Sequence, residues 1–598
     1  MKLRRLYSNK PAVFEPLVFN DSLSVVLAEI RVPANKLLDT HNLGKTTVGE
    51  LLDFCLLKGK SNSFFLFKHE QQFKEFAFYL EVELRDGSFL TIGRDVDPGT
   101  KIDFLQSDSS IPDVTEAKPE DWDHLGLSFD RARLLLDGYL QLEALKPWGF
   151  RKLVGYLIRS QADYQDVFQL NKFSGKHQDW KPFVAHLLGM DSQPVISLYD
   201  KREQLARATA HLSSVNQEWG SEAADPTVLD GLISVKRRDI AARQEALDTL
   251  DFTDDDSRVT TEVVEDVEAR IAGLNEEKYR LSQLLSRIAN SLEEERVIFR
   301  PSDAEKLFTE AGVTLGNQIK RTYEQLLAFN RAITQERREA LEKQSGNARE
   351  RLESIEAETK DLNEARARSL AYLRESEALA KYKDLSRELT VMRSDLIGLE
   401  NRRQAAARIV ELRREVRTLG EEHSQLVTTV EDQLESLSQN EASRFGRMRR
   451  YFTEIIFEVL GQNAILAIKV NQSGGIDFSA EFIGDSGTAT SGDKGTTYKK
   501  LLCIAFDLAF LRTYLDTPFP RFVYHDGALE QLEPRKRESL INVFRAYATL
   551  GIQPVISVLD SDVPTRAGSS DKAIVDDDII VHLHDEGDDG RLFKMAAW

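Results

Sequence analysis

The stretch Asp39-Thr40-His41-Asn42-Leu43-Gly44-Lys45-Thr46-Thr47 decides the fold that we predict for this chain. An apolar run at residues 24–30 precedes it and is typical of a strand, and residues 48–57 follow it with the pattern of a helix. A strand, a tight loop ending in Gly-Lys-Thr and a helix together indicate a phosphate-binding loop, because the N–H groups at a helix N-terminus face an anion.

The polar residues of this loop have expected roles in binding a nucleotide. The Lys45 ammonium would reach the β- and γ-phosphates, and the Thr46 hydroxyl would bind Mg²⁺. Asp39 stands where the first glycine of such a loop is expected, and a bare Gly-Lys-Thr also occurs in surface turns. The residues that we predict to contact the nucleotide from this loop are Asn42, Gly44, Lys45, Thr46 and Thr47.

Composition excludes several classes of protein. A chain of 598 residues is long enough for several domains, and its formal net charge of −19 argues against a generally basic coat for nucleic acid. Cys55 and Cys503 lie far apart in apolar contexts, so we predict reduced thiols, and a cysteine zinc site is excluded because there is no Cys-x-x-Cys. Because no run of about 18 apolar residues occurs, we expect a cytoplasmic protein with no membrane partner.

The middle of the chain carries heptad patterns. Apolar residues recur with 3-4 spacing in residues 197–298 and again from about residue 333, with an interruption that includes Pro301. We predict an antiparallel coiled-coil hairpin, since this would bring the globular flanks together, and two independent rods that dimerise in parallel are the alternative. The predicted domains are a head half (1–196), an ascending helix (197–298), a tip or hinge (299–332), a descending helix (333–450) and a second head half (451–598).

The C-terminal part supplies the acid that a phosphate-binding loop requires. Residues 521–525 have the pattern of a buried strand that ends at Asp526, where a carboxylate would hold Mg²⁺. An acid after a strand is common in any fold. Here it follows a Gly/Ser/Thr-rich loop (485–497) and an apolar helix (498–514), which makes the pattern more specific.

In this arrangement the chain resembles, over essentially its whole length, the SMC/RecF/RecN branch of ABC ATPases. The resemblance implies an α/β ABC-type P-loop ATPase head, assembled from N- and C-terminal halves, with a long antiparallel coiled-coil insertion. It also implies ATP and Mg²⁺ as cofactors and a homodimer formed through the heads. Residues 39–47, His525-Asp526-Gly527 and residues 590–595 are similar to the ATPase subunit of Lamassu-type and ABC three-component anti-phage systems. In those systems the partners are an adaptor and an effector such as a nuclease.

The same resemblance assigns roles to further residues. Gln161 matches the glutamine that senses Mg²⁺ and the γ-phosphate, although a plain surface glutamine fits almost equally well, and Asp526 matches the acid that supports Mg²⁺. Ser491 and Gly492 lie in a loop that is similar to the signature loop, which caps the partner's γ-phosphate, but the usual Leu-Ser-Gly-Gly order is missing.

Two departures from the family pattern concern hydrolysis. Gly527 stands where the catalytic glutamate is usual, and no switch histidine follows the strand at residues 555–560. Hydrolysis needs a group that accepts a proton from water or positions the water. We therefore expect slow or DNA-gated hydrolysis, with Glu530 or His525 as the base.

A basic cluster lies where the second helical region returns to the head. Arg444, Arg447, Arg449 and Arg450 are predicted to neutralise phosphates of double-stranded DNA without reading its sequence. The predicted function is an ATP-gated machine that binds or senses DNA and controls an effector in prokaryotic anti-phage or anti-plasmid defence. The alternatives are a RecN/RecF-like ATPase of DNA repair or chromosome maintenance, and a scaffold that binds ATP without hydrolysing it.

Overall fold

The computed structural model describes residues 1–32, 43–97, 99–171, 177–219, 225–249, 257–298, 317–371, 377–484, 496–566 and 571–596. The predicted site residues Asn42, Ser491 and Gly492, and most of the predicted tip, lie outside the described residues. The chain divides into two compact units, of which unit 1 comprises residues 1–203 and 420–598 and unit 2 comprises residues 204–419.

The strands and helices alternate in the first and last parts of the chain, and the middle is helical. The strands are β1 (Lys2–Ser8), β2 (Leu17–Val18), β3 (Ser24–Glu29), β4 (Ala77–Glu83), β5 (Phe89–Asp95), β6 (Lys101–Ser107), β7 (His124–Ser128), β8 (Ile158–Arg159), β9 (Asn463–Val470), β10 (Ile476–Ile483), β11 (Phe522–His525), β12 (Gln553–Leu559) and β13 (Ile579–His584). The helices are α1 (Lys45–Cys55), α2 (Phe65–Lys68), α3 (Glu70–Phe73), α4 (Phe129–Leu140), α5 (Arg151–Leu157), α6 (His177–Leu187), α7 (Ser192–Trp219), α8 (Pro226–Asp248), α9 (Ser257–Ile298), α10 (Asn317–Ala371), α11 (Glu377–Gln439), α12 (Arg444–Leu460), α13 (Thr496–Thr513) and α14 (Pro534–Thr549).

A parallel sheet in unit 1 joins the two ends of the chain. Its strand order is β13-β3-β12-β11-β8, so that β3 lies between two C-terminal strands and β8 pairs with β11. Strands β3, β11 and β12 are short, mainly apolar runs that are buried on both faces, as is typical of parallel strands covered by helices. Since side chains at the carboxyl ends of parallel strands meet at one edge, this sheet brings the residues that follow β3, β8 and β11 together.

A second sheet and one very apolar helix complete the core of unit 1. The second sheet is antiparallel, with the order β2-β1-β4-β5-β6-β7, and β9 and β10 form a separate hairpin. Helix α13 is buried almost throughout, including the run Leu501–Leu502 and the aromatic residues Phe506 and Phe510. Helix α12 packs along α13 and β9, so it belongs to the globular unit.

The predicted descending helix (333–450) requires a correction at its end. Helix α11 ends at Gln439, and α12 begins at Arg444 after an N-cap in which the Ser443 hydroxyl accepts a hydrogen bond from the Gly446 N–H at 2.9 Å. Residues 438–444 contain a single apolar residue, Ala442, so the apolar spacing is interrupted close to the point where α11 ends. The unit boundaries at residues 203/204 and 419/420 likewise differ from the predicted 196/197 and 450/451.

The helices of unit 2 pair in antiparallel fashion. Helices α8 and α11 are joined by Lys236–Asp395 (2.8 Å) and Asp230–Arg403 (2.9 Å), so the numbers rise on one helix as they fall on the other. Helices α9 and α10 show the same order through two further ion pairs. Those are Glu277–Arg351 at 2.8 Å and Glu268–Arg366 at 3.6 Å. The helices therefore pair within one chain as in a hairpin, whereas the alternative of two independent rods that dimerise in parallel predicts no such pairing.

The ascending and descending helices are not, however, a single two-helix rod. The helical pattern is divided between α8 and α9 and between α10 and α11. Helix α9 also lies close to two other helices. Its Arg287 side chain lies 3.4 Å from Glu218 of α7, and its Tyr279 hydroxyl lies 4.0 Å from the position that a Cβ atom on Gly398 of α11 would take. Unit 2 is thus a bundle of antiparallel helices. Within the described ranges, no helix combines the length and apolar character that a bilayer crossing requires.

Candidate nucleotide site

The N-terminus of α1 is fixed against the C-terminal part of the chain. Gly44 precedes the helix with φ +98°, and a Cβ atom on it would lie only 2.6 Å from the Cβ of Leu592, so both its conformation and its surroundings require glycine. The Leu592 N–H donates to the Leu43 carbonyl at 3.1 Å, and the Tyr524 hydroxyl donates to the Lys45 carbonyl at 2.8 Å. These contacts hold the start of α1 beside the end of β11.

Thr46 and Asp526 meet although 480 positions separate them in the sequence. The Thr46 hydroxyl donates to one carboxylate oxygen of Asp526 at 2.8 Å, and the Ser557 hydroxyl donates to the other at 2.5 Å. The Gly527 N–H in turn donates to the Ser557 hydroxyl at 2.9 Å. Asp526 has no exposed surface, and burial raises the pKa of its carboxyl above the usual value. A hydroxyl and a buried carboxylate side by side are the oxygen ligands that Mg²⁺ takes.

Lys45, Gln161 and Glu530 form the second half of the cluster. The Lys45 ammonium lies 3.1 Å from a carboxylate oxygen of Glu530, and the Gln161 amide nitrogen lies 3.4 and 3.3 Å from the two oxygens. The side chain of Lys45 is 6% exposed and that of Glu530 is 21% exposed. The carboxylate therefore faces solvent in part while it neutralises the lysine.

Glu530 fills the space that a side chain at position 527 would take. Gly527 has φ +62°, and a Cβ atom on it would lie 2.7 Å from the carboxyl carbon of Glu530 and 2.8 Å from one of its oxygens. The space beside Gly527 is thus occupied by a carboxylate that comes from three residues further along the chain. A larger residue at 527 would displace it.

The prediction that His525 is a candidate base requires a correction. Its ring is fully buried, and its Nε2 atom lies 3.1 Å from Asp507, which also accepts two hydrogen bonds from Arg159 at 2.7 and 2.8 Å. Successive residues of a strand point to opposite faces, so the His525 ring points away from the Asp526 carboxylate. Burial also lowers the pKa of His525. These surroundings do not support a role in activating water.

Two residues of the site were not found from the sequence. Ser557 connects Asp526 to Gly527, and the buried Lys500 ammonium donates to the Gly527 carbonyl at 2.8 Å. Ser557 is a single polar residue within an apolar run, whereas Lys500 follows another lysine, Lys499, at the start of an apolar run, and neither pattern identifies a site. Thr47, a predicted contact, lies half-buried in the first turn of α1.

The four arginines predicted to bind DNA all lie on α12, and each has a neighbour within its own unit. Two lie near acids and two near aromatic rings, so their charge is partly compensated inside the chain. The contacts are Arg444 with the Tyr514 ring (5.2 Å), Arg447 with Asp516 (3.6 Å), Arg449 with the Phe445 ring (5.7 Å) and Arg450 with Glu454 (3.8 Å).

Comparisons with known proteins give a family-model match over part of the sequence and matches to solved structures that cover most of the chain with low TM-scores. A family model described as "Uncharacterised protein conserved in bacteria (DUF2326)" matches residues 453–597, which is less than half of the chain. A comparison with curated proteins finds no match.

Solved structures of Smc heads are among those similar to this chain. An Smc head domain with a coiled coil and joint from Pyrococcus yayanosii is 14% identical, with 96% of each chain covered and a TM-score of 0.33. An Smc head domain with an extended coiled coil, bound to the C-terminal domain of ScpA, from Pyrococcus furiosus is 10% identical. In that comparison 94% of this chain and 90% of the other are covered, with a TM-score of 0.31.

Proposed function

We propose that unit 1 binds ATP with Mg²⁺ at the N-terminus of α1 and hydrolyses it. The observation that carries this proposal is the meeting of Lys45 and Thr46 with Gln161, Asp526 and Glu530, which come from three distant parts of the chain. Each side chain has the chemistry that a triphosphate and its cation require: an ammonium, a hydroxyl, an amide and two carboxylates.

The cation and the phosphates have separate ligands in this proposal. Thr46 and Asp526, with Gln161, hold Mg²⁺, which would neutralise negative charge on the phosphates. Lys45 binds the β- and γ-phosphates, with the N–H groups of Gly44, Thr46 and Thr47 and the side chain of Asn42 around them. Since Lys45 now pairs with Glu530 at 3.1 Å, phosphate oxygens would replace the carboxylate as its partner.

The release of Glu530 from Lys45 is the step that prepares hydrolysis. A carboxylate that is partly exposed and no longer neutralised accepts a proton from a water molecule whose oxygen bonds to the γ-phosphorus, while the bond from that phosphorus to the β–γ bridging oxygen breaks and ADP leaves. The neighbouring Gln161 amide would orient that carboxylate, as it does now at 3.3 Å. Glu530 therefore takes the place of the glutamate that Gly527 replaces.

We further propose that ATP joins two copies of this chain through their heads, with Ser491 and Gly492 of one copy capping the phosphate bound by the other. The arginines at positions 444, 447, 449 and 450 would exchange their intrachain neighbours for phosphates of double-stranded DNA. In this proposal the protein works in the cytoplasm with an adaptor and an effector such as a nuclease, in defence against phages or plasmids. A role in DNA repair or chromosome maintenance would use the same site.

A scaffold that binds ATP without hydrolysis is the second candidate, and the replacement by Gly527 favours it. Phosphate release by the purified protein, measured with and without linear double-stranded DNA, separates the two functions. We expect release by the wild type and a loss of about 100-fold or more in Glu530→Gln. The matched control is Glu533→Gln, because that side chain lies nearby but is 74% exposed. Equal rates for Glu530→Gln and the wild type would exclude Glu530 as the base.

A further inference from the structure

We propose that Lys500 is a positioning residue that holds the turn carrying Glu530, and so sets the place of the base relative to the phosphate. This inference rests on the proposed function, because it assigns a role to Lys500 in the reaction assigned to Glu530. Lys500 lies in the second turn of α13 and is 7% exposed.

The Lys500 side chain holds the turn by contacting backbone carbonyl groups of the turn. The Lys500 ammonium donates to the Gly527 carbonyl at 2.8 Å and lies 3.5 Å from the Glu530 carbonyl. The Glu530 N–H also donates to the Gly527 carbonyl, at 3.3 Å, which closes the turn. The Lys500 ammonium therefore donates to the first residue of this turn, Gly527, and lies near the carbonyl of the last residue, Glu530. The side chain of Glu530 is the proposed base.

A purely structural role does not require a charge at this position. An ammonium in the interior is unfavourable unless its hydrogen bonds are made, and most of the residues around Lys500 on α13 are apolar. Burial lowers the pKa of the Lys500 ammonium, although the carboxylates of Glu530 and Asp526 act in the opposite direction. An apolar residue would pack there at lower cost but would leave the Gly527 carbonyl without this donor.

The position of Lys500 also connects the turn to the start of α13. The Thr497 hydroxyl, one turn earlier on this helix, lies 3.5 Å from the side-chain oxygen of Gln531, which has φ +67°. A displacement of the first turns of α13 would therefore move both ends of the segment from Gly527 to Gln531.

The test compares Lys500→Met with Lys499→Met, which makes the same chemical change one residue away, at a half-buried position. Two quantities are measured on the full chain: the Kd for ATP with Mg²⁺ and the kcat of phosphate release. We expect Lys500→Met to lower kcat by about 10- to 100-fold, because a misplaced base loses rate, and to leave Kd within about twofold. Lys499→Met should change neither. An unchanged kcat in Lys500→Met overturns the inference.

A double variant shows whether Lys500 acts through Glu530. In a Glu530→Gln background, Lys500→Met should cause no further loss of kcat, because the group that it positions is already absent. If the two substitutions instead lowered kcat independently, so that their fold-changes multiplied in the double variant, the positioning role would be contradicted. If Lys500→Met does not fold, Lys500→Gln removes the charge while it keeps a polar group, and the same two results are expected.

The failure of this inference can be told apart from the failure of the proposed function. If Glu530→Gln hydrolyses ATP like the wild type, the proposed base is wrong whatever Lys500→Met does. If Glu530→Gln is inactive and both Lys500 variants keep the wild-type kcat, only the positioning role is wrong.

Discussion

Two charged clusters lie on opposite sides of β11, and they differ in their exposure to solvent and in the length of their contacts. The buried cluster consists of Arg159, Asp507 and His525, none of which has exposed surface. Its ion pair is bidentate at 2.7 and 2.8 Å, and Arg159 also donates to three backbone carbonyls. The nucleotide cluster, defined by Lys45, Thr46, Gln161, Asp526 and Glu530, has a partly exposed carboxylate and contacts as long as 3.4 Å.

This difference is the one expected between a cluster that only stabilises the fold and a cluster that can bind a ligand. Hydrogen bonds that are short, numerous and shielded from water cannot be exchanged for bonds to a ligand without unfolding the residues around them. Bonds at the edge of solvent can be exchanged for contacts with phosphate. The two clusters are nevertheless connected, because the Asp526 N–H donates to the Arg159 carbonyl at 3.1 Å. The buried cluster therefore helps to fix the backbone at Asp526.

The largest expected effect breaks the buried cluster. Asp507→Asn would leave the Arg159 guanidinium buried without a carboxylate, and we expect the free energy of unfolding to fall by about 3–5 kcal/mol. Chemical denaturation measures this loss. The matched control is Asp516→Asn, whose side chain is 89% exposed and lies 3.6 Å from Arg447. The control should change stability by less than about 0.5 kcal/mol, and a similar loss in both variants would contradict the comparison.

An intermediate effect is expected at Gly527. In Gly527→Ala the new methyl group must occupy the space of the Glu530 carboxyl group and adopt a positive φ, so we expect a loss of about 1–2 kcal/mol in stability. The displaced base should lower kcat by about tenfold or more, with little change in the Kd for ATP. Gly551→Ala is the control, since φ is also positive there, at +86°, and its Cβ position approaches only the Arg521 side chain, at 3.5 Å. Equal kcat values for the two variants would show that Glu530 does not need the space beside Gly527.

The smallest effect concerns the pH dependence of stability. Because burial raises the pKa of Asp526, the folded protein keeps this proton in a pH window where the unfolded chain has lost it. Through this group, stability without Mg²⁺ is highest below the ordinary aspartate pKa and decreases as the pH rises through the raised value. Binding of Mg²⁺ with a non-hydrolysable ATP analogue requires the ionised carboxylate. The increase in Tm that this addition causes should therefore become larger as the pH rises through the same window.

Thermal unfolding between about pH 4 and about pH 7 measures this effect. In Asp526→Asn the pH-dependent part of the Mg²⁺ effect should disappear. An increase in Tm on adding Mg²⁺ and analogue that is equally large at both ends of the range in the wild type would contradict the assignment of Asp526 to the cation.

The sequence indicated residues that the structure brings together, but not the contacts that they make. Lys45, Thr46 and Asp526 follow from a local motif and from the end of an apolar strand, since both signals lie within a few residues. Glu530 and His525 were equivalent in the sequence. The structure separates them because the side chains of β11 alternate between its two faces, and the strand pattern alone does not show which face holds the nucleotide.

Partners that are distant in sequence were harder to predict. Lys500 and Ser557 are polar residues in buried elements, and nothing in their neighbourhood identifies the carbonyl or carboxylate that they contact. The heptad pattern predicted helices and an antiparallel arrangement. The heptad pattern does not indicate which helix faces pair with each other, so the approach of α9 to α7 and α11 was not expected. The break at residues 440–443 lies inside the predicted descending helix, and a cap by the single residue Ser443 begins the next helix there.

The most direct test of the account is the equilibrium binding of a non-hydrolysable ATP analogue to the full chain, with Mg²⁺ and without it. We predict that Mg²⁺ tightens binding by the wild type, and that Lys45→Ala weakens binding in the presence of Mg²⁺ by about 100-fold, or about 2.7 kcal/mol. Lys58→Ala, a change in a lysine just beyond the other end of α1, should bind like the wild type. Binding by Lys45→Ala with wild-type affinity, or binding that Mg²⁺ does not affect, would contradict the claim that residues around 45 and 526 form one nucleotide site.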